Sequence, residues 1–247
     1  MEKSIRDGFV TKWKKYFNGA ELPITFYYTD ETGRAGMAPH STGHRCIIAD
    51  LKQVRGGKPL CFDADTVGCL GGKRYLGFTQ ETADDFEFFL SCGIPGKLKG
   101  ERYKKSPEVV RQSLKYQPPF KAPGRYIVFK RWDQLDETDQ PQVVIFFARP
   151  DILAGLFTLA NFDQEDPNGV IAPFGSGCSS IVYHPFAQIE ASHPRPVIGM
   201  FDVSARPHVA EDELTFSLPI TRLLTMINYM EESFLITGSW KKILKRI

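Results

Sequence analysis

Residues 143–160 read Val-Val-Ile-Phe-Phe-Ala-Arg-Pro-Asp-Ile-Leu-Ala-Gly-Leu-Phe-Thr-Leu-Ala, and this stretch decides the fold. Its first six residues are apolar without alternation, which is typical of a strand that is covered on both faces. Pro150 then begins a helix, because the missing N–H of proline costs nothing at the first helical position. A turn at 166–169 and a strand from Val170 are predicted to follow. The sequence therefore predicts a parallel β-α-β unit at the centre of a sheet.

Further strands and helices are predicted on both sides of this unit. Runs rich in β-branched and aromatic residues predict strands at residues 24–28, 59–62, 125–132, 196–203 and 214–218. Amphipathic patterns predict a first helix from Ile5 and a long helix opened by Pro219. The predicted fold class is α/β, or α+β, with a mixed β-sheet, a central β-α-β unit and flanking helices. We expect residues 1–247 to form a single globular domain.

Composition and charge limit the classes of function. The chain has 247 residues, of which 42% are hydrophobic and 24% charged, and its formal net charge is only +2. A chain without a strong basic excess is not expected to bind nucleic acid. Its N-terminus is charged where a signal peptide would be apolar, and no apolar run approaches the ~18 to 20 residues of a membrane helix. We expect a cytoplasmic protein that binds no membrane, with a small-molecule ligand or a redox protein as its candidate partner; oligomeric state stays open.

The cysteines are the most informative residues for function. An odd number of cysteines in a reducing compartment argues against a disulfide framework. The five are Cys46, Cys61, Cys69, Cys92 and Cys178. Cys46 lies near a predicted helix start, and Cys69 and Cys178 lie beside glycines. Since the N–H groups at a helix start stabilise an anion, these settings favour thiolates.

The residues around these cysteines are candidates for binding a cofactor. Glycine permits a close backbone approach to a cofactor or an anion. The candidate cofactor-binding residues are Gly71, Gly72, Ser176, Gly177 and Arg206. Arg206, near a predicted strand end, could instead form an ion pair with Asp202.

The candidate metal ligands are Cys46, Cys69 and Cys178, with Cys61 as the candidate fourth. The chain contains no C-x-x-C pair, so such ligands would come together from separate segments. Soft thiolate ligands select an iron–sulfur cluster or a soft metal. Cys61 alternates with apolar residues on a predicted strand, so core packing explains it as well as ligation does. A zinc site formed by Cys46 with the preceding His40 and His44 is a weaker alternative.

Two other hypotheses remain open at this point. In the first, Cys178 is the nucleophile of an enzyme, with a backbone N–H group stabilising an oxyanion. The sequence does not fix a base, although His184 follows six residues later, and the catalytic residues are otherwise unknown. In the second, the protein binds a small molecule and its cysteines are structural, since free cysteine is among the most buried residue types. The lysines within residues 97–105 are more typical of a solvated loop than of an anion site.

Several short motifs resemble one protein family in their order and spacing. They are Cys46, then Cys69-x-Gly-Gly with Leu76-Gly77-Phe78, then Gly177-Cys178, and finally Glu213-Leu-Thr-Phe-Ser-Leu-Pro219 before a helix. From about Pro23 to Met230, the chain is similar to the domain-of-unknown-function family 169, the ArCR family of archaea and bacteria. The resemblance implies a cytoplasmic prokaryotic protein of one domain without an assigned activity. It also implies that Cys46, Cys69 and Cys178 occupy the family's cysteine positions, which would leave one coordination position open to another ligand.

Overall fold

A seven-stranded mixed β-sheet organises the chain, and the computed structural model describes residues 1–32, 35–40 and 43–247. The strands are β1 (Ile24–Thr29), β2 (Gly36–Met37), β3 (Leu60–Phe62), β4 (Gly93–Ile94), β5 (Leu98–Lys99), β6 (Tyr126–Arg131), β7 (Val143–Ala148), β8 (Val197–Gly199) and β9 (Leu214–Pro219). Their order across the large sheet is β2-β3-β6-β1-β7-β9-β8, and β4 and β5 pair separately. Strands β2 and β3 are parallel, and the other neighbours in the large sheet are antiparallel.

Helices connect the strands and cover the sheet. The α-helices are α1 (Lys3–Tyr16), α2 (Ile47–Arg55), α3 (Leu70–Tyr75), α4 (Phe86–Phe89), α5 (Pro107–Leu114), α6 (Pro150–Ala160), α7 (His184–Ala187), α8 (Ile220–Tyr229) and α9 (Gly238–Ile243). Short 3-10 turns span Trp132–Gln134, Arg206–His208 and Phe234–Ile236, and a π-helical turn spans Ser179–Tyr183. In the described ranges, none of the helices is long and apolar enough to cross a bilayer.

The sheet buries a separate hydrophobic core on each of its faces. Side chains alternate along β7, so that Val143 and Ile145 enter the first core while Val144 and Phe146 enter the second. Helices α2 and α3 and the π-helical turn supply the first core, and α1, α6, α8 and α9 supply the second. This arrangement, with helices on both faces of a mixed sheet, confirms the predicted α/β class.

The segment after α6 differs from the sequence prediction. Strand β7 is an interior strand and α6 follows it directly, as predicted. The expected strand from Val170 is reduced to one isolated parallel bridge between Ile171 and Val197, at the edge of the sheet. Pro173 explains the difference, because a residue without an N–H group cannot continue the ladder. The neighbours of β7 are β1 and β9, and both run antiparallel to it.

Candidate functional site

Cys46 is the N-terminal cap residue of α2. Its backbone is extended, and the helix begins at the next residue. Arg45 fixes this entry, since its Nε donates to Oδ1 of the buried Asp50 at 2.8 Å. Burial raises the pKa of the Cys46 thiol, and the N–H groups of Ile48 and Ala49 only partly oppose that shift. The first turn of α2 therefore stabilises the thiolate without making it the dominant form at neutral pH.

Cys69 holds the equivalent position at the start of α3. Its Sγ accepts a hydrogen bond from the Gly72 N–H at 3.0 Å, which is the interaction that serine or aspartate usually provides at this position. A Cβ on Gly72 would lie 3.0 Å from that sulfur and 3.0 Å from Val67 Cγ1, so glycine leaves room for the thiol. Burial raises the pKa of Cys69, and the Gly72 N–H and the Lys73 charge oppose it.

Cys178 directly precedes the π-helical turn and is buried. Its Sγ lies 3.2 Å from Ser176 Oγ, and the same hydroxyl accepts a hydrogen bond from the Ser179 N–H at 3.2 Å. Burial raises the pKa of Cys178 to about 12, while the bond to Ser176 acts in the opposite direction. The π-helical turn is rare in proteins and occurs frequently at functional sites.

All three thiols therefore differ from the sequence expectation in the direction of their pKa. The helix starts were expected to favour thiolates, but the pKa values of Cys46, Cys69 and Cys178 are raised. The reason is that burial disfavours the charged form more strongly than a few N–H groups favour it. At neutral pH, the thiols are protonated unless a cation binds to them.

The structure brings these three cysteines together. The charge of Cys69 acts on the pKa of Cys46, and the charges of both act on that of Cys178. Side-chain packing agrees, since Ile48 Cγ1 in α2 lies 3.4 Å from where a Cβ on Gly177 would be. Helix α3 packs against the π-helical turn on the same side of the sheet. We call Cys46, Cys69 and Cys178 the thiol cluster.

The side chains of the thiol cluster lie near one another, but they are not arranged in the geometry of a metal site. Across the described parts of the chain, no group of three or more His, Cys, Asp or Glu side chains is arranged to hold a metal ion. His40 and His44 are both exposed, and residues 41 and 42 between them lie outside the described residues.

Cys61 is not brought to the thiol cluster. Its neighbours Leu60 and Phe62 enter the first core, which also contains Cys178, whereas Cys61 packs with Val128 on the other face of β3. The alternation of side chains along a strand therefore separates Cys61 from the other three sulfurs. Burial raises the pKa of Cys61 to about 12. Cys92 is exposed in the segment after α4.

Arg206 was predicted to bind an anion or to form an ion pair with Asp202, but its hydrogen bonds are to backbone carbonyl groups. Its guanidinium donates to the carbonyl oxygens of Ala210, Glu211 and Glu213, which fixes the loop before β9. Asp202 instead accepts from the Gly177 N–H at 3.0 Å, and its charge raises the pKa of Cys46 and Cys178.

The predicted cofactor-binding glycines lie in different environments. A Cβ on Gly71 would meet nothing within 4 Å, so this part of α3 faces open space. A Cβ on Gly177 would lie 2.7 Å from Ala205 Cβ and 3.2 Å from Met200 Sδ. Gly177 is therefore required for close packing of the turn that carries Cys178.

Tyr75, Gln117 and His184 form a polar row beside the thiol cluster, and of the three only His184 was noted from the sequence. Gln117 Oε1 lies 3.4 Å from the Tyr75 hydroxyl, and its Nε2 lies 3.5 Å from His184 Nε2. Burial, followed by the charge of Cys178, raises the pKa of Tyr75 to about 12. Burial lowers the pKa of His184 to about 4, so its imidazole is neutral at physiological pH. No local pattern marks Gln117, which comes from a segment distant in sequence.

Comparison with known families agrees with the resemblance of the short motifs. A family model described as domain of unknown function 169, uncharacterised ArCR, matches residues 14–229. Comparisons with curated proteins and with solved structures gave no match. The matched span contains the whole large sheet and the thiol cluster. Because the match covers far more than half of the 247 residues, the chain belongs to the domain-of-unknown-function family 169.

Proposed function

We propose that this protein binds a thiophilic metal ion or an iron–sulfur cluster through the thiolates of Cys46, Cys69 and Cys178. The observation that carries the proposal is the packing of three helical segments on one side of the sheet, each with one of these cysteines at its start. Thiolates from separate segments suit soft metals and iron–sulfur clusters. The cysteines would supply three ligands, and a tetrahedral metal would keep one position open.

The charges around the thiol cluster favour a cation. Thiolates at these three positions would repel one another, and Asp202 adds a fourth negative charge to the same environment. A bound cation converts this repulsion into attraction and displaces the thiol protons, because a coordinating thiol is deprotonated. Because each thiol must lose its proton in order to coordinate, the raised pKa values oppose binding, and the metal affinity should increase with pH.

Side-chain rotation is the step that would turn the thiol cluster into a metal site. Moving a side chain away from its preferred rotamer costs about 0.5–1.5 kcal/mol. Binding of a structural zinc ion by thiolates contributes about 10–16 kcal/mol at neutral pH. Rearrangement of two or three cysteine side chains is therefore small beside the binding energy.

The environment of Cys178 favours metal ligation over nucleophilic catalysis. A cysteine nucleophile reacts as its thiolate, and with a pKa of about 12 that form is scarce at neutral pH. The nearest histidine along the chain, His184, contacts Gln117 through Nε2. A metal ion needs no base, since it lowers the pKa of the thiol by binding to it.

Metal analysis of protein prepared without oxygen tests the proposal. We would load the protein with zinc, and separately with iron and sulfide, and measure bound metal per chain after gel filtration. Serine replacements of Cys46, Cys69 and Cys178 are each expected to lose most of the metal. Cys92→Ser is the matched control, because Cys92 is exposed and outside the thiol cluster. Wild-type protein that retains no metal, or equal loss in the control, would contradict the proposal.

A further inference from the structure

A cavity lies at the connector between β5 and α5. It has a volume of about 230 Å³, and it is lined by Ser91, Cys92, Arg102, Tyr103, Lys104 and Lys105. Three of these six residues are cationic, and none of these described lining residues is acidic. We call this feature the basic cavity.

Backbone hydrogen bonds hold the basic cavity in shape. The N–H groups of Glu101, Arg102 and Lys104 donate to the carbonyl oxygens of residues 89, 91 and 90, at 2.7, 3.0 and 3.0 Å. Arg102 also adopts a φ of 57°, in the left-handed region that a non-glycine residue occupies only when its surroundings enforce it. Hydrogen bonds thus fix the backbone of the connector, while Arg102 and Lys105 stay exposed to solvent, as the sequence predicts for this loop.

The cations of the basic cavity are left without acidic partners. Elsewhere in this region charges are paired: Lys97 lies 2.5 Å from Asp85, and Arg111 lies 2.8 Å from Glu87. Within the described residues, by contrast, Arg102, Lys104 and Lys105 form no ion pair. Three like charges around one cavity repel one another, and an anion bound among them would remove that repulsion.

The basic cavity adjoins the turn that carries Cys178. The Lys104 ammonium lies 4.3 Å from the ring centroid of Phe174, four residues before that cysteine. Tyr103 forms a hydrogen bond with Ser204. Burial raises the pKa of Tyr103, and the charge of Asp202 acts in the same direction. A small molecule held in the cavity would thus lie next to the loops that surround the thiol cluster.

We infer that the basic cavity binds the phosphate or carboxylate group of a small-molecule ligand through Arg102, Lys104 and Lys105. Phosphate and carboxylate oxygens form charge-assisted hydrogen bonds with guanidinium and ammonium groups, and these are stronger than neutral ones. The inference goes beyond metal binding, and it holds whether or not the thiol cluster binds a metal.

Calorimetric titration of the metal-free full chain with pyrophosphate, and separately with succinate, tests this inference. The cavity variant is Lys104→Gln/Lys105→Gln, and the control is Lys241→Gln/Lys242→Gln, which removes the same charge from exposed positions on α9. Loss of two charge-assisted contacts should weaken binding at least about tenfold in the cavity variant, while the control stays near wild type. The tighter of the two probes identifies the chemical group.

The outcomes that overturn the inference are also clear. The inference is wrong if the wild-type protein shows no saturable binding of either probe. It is also wrong if the cavity and control variants bind with equally weakened affinity, because that would indicate a nonspecific effect of net charge. The single variant Lys105→Gln controls for misfolding, because Lys105 is exposed. Unchanged affinity in that variant and in the double variant would likewise overturn the assignment.

Discussion

The Asp202 carboxylate accepts a hydrogen bond from the Gly177 N–H at 3.0 Å. Its other oxygen accepts from the N–H and the hydroxyl of Ser204, at 2.9 and 2.7 Å. The loop after β8 is thereby joined to the turn that carries Cys178. The position of the buried Cys178 thiol therefore depends on Asp202, which lies 24 residues further along the chain (202 − 178 = 24).

Asp202→Ala should therefore loosen the Cys178 turn. It leaves the partly buried Gly177 N–H without its acceptor, which typically costs about 1–3 kcal/mol. We expect a lower free energy of unfolding in urea, and faster amide hydrogen exchange over residues 175–180. Asp212→Ala is the control, since that carboxylate forms only an exposed ion pair with Arg149. Exchange over 175–180 that stays at the wild-type rate in Asp202→Ala would refute the role of this bond.

Alanine replacements should separate the two glycine environments near the thiol cluster. Gly177→Ala places a Cβ 2.7 Å from Ala205 Cβ, and overpacking of this kind costs about 1–3 kcal/mol. Gly71→Ala adds a methyl group in open space within a helix, where alanine is about 0.5–1 kcal/mol better than glycine. Urea denaturation should thus shift in opposite directions for the two variants. Equal shifts would show that the close packing at Gly177 does not limit stability.

Two replacements of Cys69 should distinguish its capping role from its proposed role as a ligand. Cys69→Ser keeps an acceptor for the Gly72 N–H, whereas Cys69→Ala removes it and should cost about 0.5–1 kcal/mol of unfolding free energy. Both variants lack the soft sulfur, so both should lose bound metal. If the serine variant retained the metal at wild-type stoichiometry, Cys69 would have only the capping role.

Stability should fall with acidification because of His184. The folded protein keeps this imidazole neutral down to about pH 4, whereas in the unfolded chain the ring takes up a proton below its usual pKa of 6.5. Proton uptake stabilises the unfolded chain, so the free energy of unfolding decreases as the pH falls from 6.5 towards 4, by about 1–3 kcal/mol for this partly exposed ring.

The measurement for His184 is urea denaturation at pH 7 and pH 5. His184→Gln should remove part of the loss in stability between the two pH values. His208→Gln should not, because His208 is exposed. The same pH dependence in wild type and His184→Gln would show that other groups cause the acid sensitivity.

Local patterns predicted the elements that depend on local chemistry. The apolar run of β7 and the proline that opens α6 are both visible in sequence, and each element forms as expected. The strand expected from Val170 did not form, since the direction and neighbours of a strand depend on tertiary pairing. The choice between antiparallel neighbours and a parallel crossover is not encoded within the strand itself.

The candidate site was predictable only in part for a related reason. Cysteines beside glycines and helix starts identified Cys46, Cys69 and Cys178. Their raised pKa values were not predictable, because burial depends on the segments that pack over them. The separation of Cys61 follows from strand alternation, but only once the face that bears the thiol cluster is known.

X-ray absorption spectroscopy of the zinc-loaded protein tests the metal proposal most directly. If the thiol cluster binds the ion, the zinc edge should fit three sulfur neighbours at about 2.3 Å and one lighter atom. The zinc that Cys178→Ser still retains should have at most two sulfur neighbours, and Cys92→Ser should keep three. A zinc ion surrounded only by nitrogen and oxygen, or a sulfur count that does not change in Cys178→Ser, would contradict the account.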